Sequence, residues 1–262
     1  MWIERMKKYK MKVLTVKGLN IGEGAPKIIV PIVETTKESI VEKAKSFKEL
    51  KIDCVEWRVD FFDDVFNITS VLDTLKCLRI ELPNIPIIFT FRTKKEGGEK
   101  EISMNAYTAL NKAVAETGNA ELIDLEIFSG DEIVKENIEN IHKANVFIVG
   151  SNHDFFKTPV KDDIISRLIK MQKLGADICK IAVMPKSTYD VLTLLAATNE
   201  MYTKYADRPI ITVSMGPMGI ISRLSGELFG SAMTFGTVGQ NSAPGQVPVK
   251  ELEIALNILH QS

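Results

Sequence analysis

Short apolar runs recur along the chain with amphipathic segments between them. The runs fall at 27–33, 54–60, 85–92, 121–127, 146–153, 177–184, 209–215 and 231–238. Most are apolar on both faces, as strands of a buried parallel sheet require. The intervening segments carry helical stripes: Ile40, Val41, Ala44 and Phe47; Ile164, Ile165, Leu168 and Met171; Val191, Leu194, Leu195 and Thr198. Thr36 precedes the first helix, Thr158-Pro159 opens another, and Gly175 ends it just before the next strand. Helices are also predicted over 131–145, 216–228 and 248–260.

Eight strand–helix units in roughly 235 residues predict an α/β fold, a (β/α)8 TIM barrel. A doubly wound open sheet fits less well, because the spacing is even and no nucleotide fingerprint follows the first strand. Residues 11–24 alternate around Lys17-Gly18 and predict a β-hairpin closing the bottom of the barrel. With no linker in sight, 1–262 reads as one barrel domain, with 1–10 as a short extension. That extension is basic but has no apolar core of a secretory signal.

Composition adds exclusions. A net charge of -1 offers no general attraction to nucleic acid or to an anionic membrane. No run approaches the roughly 18 to 20 apolar residues of a membrane span. Cys54, Cys77 and Cys179 cannot all pair with one another, which suits reduced thiols in the cytoplasm. No paired-cysteine metal spacing and no Gly-rich phosphate loop is present.

Candidate chemistry centres on Lys180, set within Ile178-Cys179-Lys180-Ile181-Ala182-Val183-Met184. The pleat puts Ile178, Lys180, Ala182 and Met184 on one face. A lysine in a dry pocket tends to lose its proton and becomes a nucleophile toward ketones. The competing reading is an ion pair with a buried carboxylate. In a barrel, function sits at the C-terminal ends of the strands. Charged residues gather there: Glu56, Arg58 and Asp60; Arg92, followed by the loop with Glu96; Asp124 and Glu126; His153; then Lys180. His153 suits acid–base work, and Glu96 is placed to orient it. Arg223, predicted near the start of the helix over 216–228, suits an anion. The Gly-rich loop 236–246, with Ser242 and Gln246, reads as a mobile cover. His142 and His260 read as surface residues.

These segments together resemble type I 3-dehydroquinate dehydratases. The resemblance rests on Glu56-Trp57-Arg58-Val59-Asp60, Phe89-Thr90-Phe91-Arg92 with Glu96-Gly97-Gly98, and Ser151-Asn152-His153-Asp154-Phe155. It continues in Lys180-Ile181-Ala182-Val183-Met184-Pro185, Ile221-Ser222-Arg223 and Ser242-Ala243-Pro244-Gly245-Gln246. It covers nearly the whole chain from about Met11. It implies that Lys180 forms an imine with the C3 ketone of 3-dehydroquinate, that His153 moves the protons and that Glu96 orients His153. It further implies that Arg223 binds the substrate carboxylate, that Ser242 and Gln246 close over the ring, and that Glu56, Arg58 and Arg92 hold its hydroxyls. No cofactor or metal is implied, and a homodimer is. One departure is Pro31, where some members carry a serine that touches substrate; that contact is not carried over. Another lysine imine barrel, such as a small aldolase, would share Lys180 and the fold. A barrel that binds a ring acid without turnover would not need Lys180, His153 and Glu96 together.

Overall fold

The computed structural model describes residues 13–240 and 242–260. The expected extension at 1–10 lies outside the described residues, as does Asn241 of the expected cover. The chain begins with an antiparallel hairpin, β1 (Leu14–Val16) and β2 (Leu19–Ile21). It turns on Lys17 and Gly18, at φ 47° and 81°, as a two-residue turn between right-twisted strands demands.

Strands and helices then alternate: β3 (Lys27–Ile32), α1 (Lys37–Ser46), β4 (Cys54–Arg58), α2 (Ile68–Glu81), β5 (Ile87–Thr90), α3 (Met104–Glu116), β6 (Leu122–Glu126) and α4 (Asp131–Lys143). The pattern continues with β7 (Phe147–Asp154), α5 (Lys161–Leu174), β8 (Ile178–Val183), α6 (Thr188–Glu200), β9 (Ile210–Ser214), α7 (Ile220–Leu224), α8 (Gly226–Phe229), β10 (Met233–Thr237), β11 (Val247–Pro248) and α9 (Val249–His260). Thr36 and Ser39 form a capping box at the start of α1, and Gly175 ends α5 at φ 104°.

Strands β3 to β9 pair in parallel and in chain order, and β10 pairs with β3. A parallel bridge between Ile210 and Ser231, with the Ala232 N–H donating to the Ile210 carbonyl at 2.8 Å, joins β9 to β10. The sheet therefore closes into the expected (β/α)8 barrel, and the open-sheet alternative is excluded.

Two differences from the sequence expectation have local causes. The predicted helix over 216–228 is broken into a 3-10 turn at Pro217–Gly219, then α7 and α8. Ser225 leaves helical geometry at ψ 17°, and its hydroxyl donates to the Ile221 carbonyl that its own N–H also reaches. The strand predicted over 54–60 stops at Arg58, because Val59–Phe61 form a 3-10 turn.

Pleating sorts the strand residues into two apolar layers. Outward residues such as Val55, Trp57, Ile123, Leu125, Cys179 and Ile181 pack against the helices. Inward residues near the strand starts, among them Ile29, Cys54, Ile88, Leu122, Val149 and Ile178, pack with Val16 and Ile21 of the hairpin. The hairpin thus plugs the bottom, and the upper interior is left for polar groups. Trp57 is the largest fully buried side chain, with the rings of Phe89 and Phe62 at 5.7 and 5.9 Å. Trp57→Ala should cost about 3–5 kcal/mol and lower Tm by roughly 10 °C. A thermal melt within about 2 °C of the parent would show that this layer does not hold the helices to the barrel.

Candidate active site

Following the inward positions up each strand, apolar residues give way to polar ones. On β4 the series is Cys54, Glu56, Arg58; from β5 it is Ile88, Thr90, Arg92. On β6 it is Leu122, Asp124, Glu126; on β7 it is Val149, Ser151, His153; on β8 it is Ile178, Lys180, Ala182. The same two-residue period that builds the apolar floor therefore builds a charged upper storey. Glu56, Arg58, Arg92, Glu96, His153, Lys180, Arg223, Ser242 and Gln246 all line one pocket, so the structure brings every sequence-predicted site residue together.

Lys180 is buried, and its surroundings correct the picture of a lone lysine in an apolar strand. Its Nζ donates to Asp124 Oδ2 at 3.1 Å and lies 3.6 Å from Glu56 Oε1. The ring of Phe235 covers it at 4.6 Å. The ion-pair reading and the nucleophile reading thus meet at one atom. Sequence reasoning placed Asp124 on this face without pairing it to Lys180 and passed over Phe235. The inward phase of Asp124 on β6 was the available signal; the ring contact had none.

Arg92 lines the pocket and gathers its carboxylates. Its guanidinium meets Asp124 at 2.7 Å, Glu126 at 3.0 Å and Glu96 at 3.8 Å, and donates to Ser151 Oγ. Burial opposes its charge, but the four carboxylates around it, Glu56 included, outweigh that and raise it above its ordinary value. Burial likewise opposes the charge of Asp124, while Arg92 and Lys180 hold its carboxyl below the usual range. Arg58 forms a fork–fork pair with Asp60, with contacts of 2.8 and 2.7 Å, and reaches the Ser242 carbonyl. Pro31 stands opposite Glu56 in the ladder and presents no hydroxyl.

Glu96 is fixed from three directions. Its Oε1 accepts from Asn152 Nδ2 at 3.1 Å, and Oε2 accepts from the His153 backbone N–H and faces His153 Nδ1, both at 2.9 Å. With its oxygens already accepting from N–H donors, Glu96 calls for the proton on Nδ1 and leaves Nε2 as the free base. Gly97 and Gly98 follow for steric reasons. A Cβ on Gly98 would sit 1.9 Å from the Arg92 carbonyl oxygen, and one on Gly97, at φ 85°, would strike the Phe155 ring at 2.2 Å. Burial pushes Glu96 up, to about 8, with Glu126 adding to the rise and Arg92 opposing it. Burial pushes His153 well down, helped by the charges of Arg92, Lys180 and Arg58.

Arg223 differs from the other cations. It is buried and has no carboxylate partner among the described residues. Burial alone lowers it to about 10, and its Nε has no hydrogen-bond partner. It does not sit at the start of a long helix, as the sequence suggested; it lies in the last turn of the five-residue α7. Its Nη2 holds the Pro244 carbonyl at 3.0 Å, and the Gly216 N–H holds the same carbonyl at 3.1 Å. Gln246 and Ser242 bond reciprocally, and both line the pocket. His142 and His260 lie away from the site, paired with Asp177 and Glu227.

If Glu96 sets the tautomer of His153, Glu96→Gln should lower kcat by about 10²-fold. Removing a carboxylate beside the imidazole disfavours its cation, so the acid limb of kcat/KM should move to lower pH. A pH–rate profile with the limb unmoved and kcat unchanged would dismiss that role.

The sequence profile of type I 3-dehydroquinase matches residues 28–262. The chain is 56% identical over 247 residues to a 3-dehydroquinate dehydratase of Clostridioides difficile, covering 94% of this chain and 97% of the relative. It is 54% identical over 252 residues to that of Escherichia coli, covering 96% and 100%. Among solved structures, the type I 3-dehydroquinate dehydratase of Clostridium difficile with covalently modified comenic acid superposes with a TM-score of 0.94 at 54% identity, over 96% and 99% of the two chains. The 3-dehydroquinate dehydratase of Geobacillus kaustophilus gives 0.93 at 36% identity, over 95% and 97%.

Proposed function

This chain belongs to the type I 3-dehydroquinase family and dehydrates 3-dehydroquinate, a step of the shikimate pathway, and we propose that it does so through an imine on Lys180 with His153 as the proton carrier. One observation carries this reading: Lys180, His153 and the carboxylate-free Arg223 face a single pocket. A ketone with a carboxylate across the ring satisfies both ends of it.

In this scheme Lys180 passes a proton to His153, its free Nζ attacks the C3 ketone, and the imidazolium returns that proton to the carbinolamine hydroxyl, which leaves as water and gives a protonated imine. His153 Nε2 takes a proton from C2, and the electron pair moves into the imine nitrogen as a neutral enamine. The pair then returns, the C1–O bond breaks, and the imidazolium delivers its proton to the departing hydroxyl, which leaves as water. Hydrolysis frees Lys180 and releases 3-dehydroshikimate. The imine is the electron sink, so the scheme needs no cofactor or metal. Arg223 holds the carboxylate, Ser242 and Gln246 close over the ring, and Glu56, Arg58 and Arg92 serve its hydroxyls. A small aldolase remains a poorer fit, since three arginines around one ring suit a polyhydroxylated acid.

The same proposal places the enzyme in the cytoplasm as a homodimer. The free thiols of Cys54, Cys77 and Cys179 favour a reducing compartment, and no helix among the described residues is long and apolar enough to cross a membrane. Light scattering that returns the mass of a single chain would dismiss the dimer.

Borohydride added during turnover should inactivate the enzyme and add the ligand's mass to the peptide containing Lys180. Absence of that adduct by mass spectrometry would refute the imine. Lys180→Ala should abolish both turnover and trapping. His153→Ala should slow turnover by about 10²–10⁴-fold, read from the ultraviolet absorbance of the enone product.

A further inference from the structure

Asp124 has no part in the scheme above, although it is wholly buried and accepts a hydrogen bond directly from the reacting nitrogen. Its second oxygen is spoken for: Oδ1 meets Arg92 Nη2 at 2.7 Å and accepts from Ser151 Oγ at 2.5 Å. Each anchor comes from a different strand end, so the carboxylate cannot turn away from Lys180. We propose that Asp124 is the fixed counter-ion of the Lys180 nitrogen in its cationic states, pairing with the ammonium before substrate binds and with the iminium once it has formed.

Charge conservation supports the assignment. An alkylammonium and a ketone give a protonated imine and one water; the N–C bond forms, the carbonyl oxygen leaves as water, and no net charge changes. One carboxylate that keeps its charge can therefore serve both cations. Asp124 is suited to remain ionised, because Arg92 and Lys180 offset the burial that opposes its charge. Glu56 cannot do the same as well. It is farther from Nζ, at 3.6 Å, and one of its oxygens accepts from Thr90 Oγ1. Phe235 covers the nitrogen with its ring, which supports a cation but offers no charge. His153 and Glu96 share the pocket, and burial, then the charges of Arg92 and Lys180, lower the affinity of His153 for a proton.

The inference rests on the imine reading, and its test separates the two. Free enzyme is labelled with formaldehyde and cyanoborohydride across a pH series, and methylation of the Lys180 peptide is followed by mass spectrometry. In Asp124→Asn the cation at Nζ loses its counter-ion, so the pH of half-maximal labelling should fall by about one to two units. Borohydride trapping with substrate at neutral pH should drop by about tenfold, since the iminium loses the same partner. Ser151→Ala removes a donor that draws charge from Asp124, and should move the labelling midpoint the other way, to higher pH. A merely structural role would move both variants in the same direction or neither. Unmoved midpoints in either soluble variant would overturn the proposal, while substrate trapping on Lys180 of the parent enzyme would leave the imine standing.

Discussion

Arg92 enters the barrel where three carboxylates from two neighbouring segments converge, and the upper half of the interior depends on its charge. Asp124, Glu126 and Glu96 each lie within 4 Å of its guanidinium. Without that cation the acids would repel one another in a low-dielectric space, and breaking one buried pair of this kind costs about 3–5 kcal/mol. The ordering it imposes spreads outward. Asp124 holds Lys180, and Glu126 accepts from the Thr93 N–H and hydroxyl, which pins the start of the loop carrying Glu96. Glu96 in turn holds His153.

The site is therefore built in two storeys with different physics. At the rim, Arg223 is left without a carboxylate and holds only a carbonyl of the cover. A buried cation in that state is a standing attraction for an anion, because its desolvation has not been offset by protein charge. Just below the rim, by contrast, Arg92 and Lys180 are already paired with Asp124 and Glu126 before any ligand arrives. In the proposed scheme the rim would attract the anion while the groups below it are already held in fixed geometry, the division that favours catalysis over tight ground-state binding.

The cover shows how loop chemistry is tied to that rim. The Pro244 carbonyl takes donors from Gly216 and Arg223, and the Ser242 carbonyl takes one from Arg58. Each is a backbone acceptor, so the loop docks through atoms that any sequence has. Only its shape, set by Pro244 and by Gly245 at φ 76°, makes the docking possible. A Cβ at Gly245 would lie 2.3 Å from the Gly216 carbonyl oxygen.

Periodicity along the chain determined the barrel, the hairpin beneath it and the inward face of each strand, because a two-residue pleat leaves no choice once one residue of a strand is placed. It also located Lys180, His153 and Glu96 at the same end of the barrel. It did not determine how far each strand runs or where Ser225 interrupts the helix after β9, since those depend on hydrogen bonds to local carbonyls. Nor could it pair Lys180 with Asp124, 56 positions away, or set Phe235 over its nitrogen. Those contacts follow from closure of the sheet, which brings strands distant in sequence around one small interior. Lys180 thus acquired its chemical surroundings from the tertiary structure, while its place and its direction were already written in the strand.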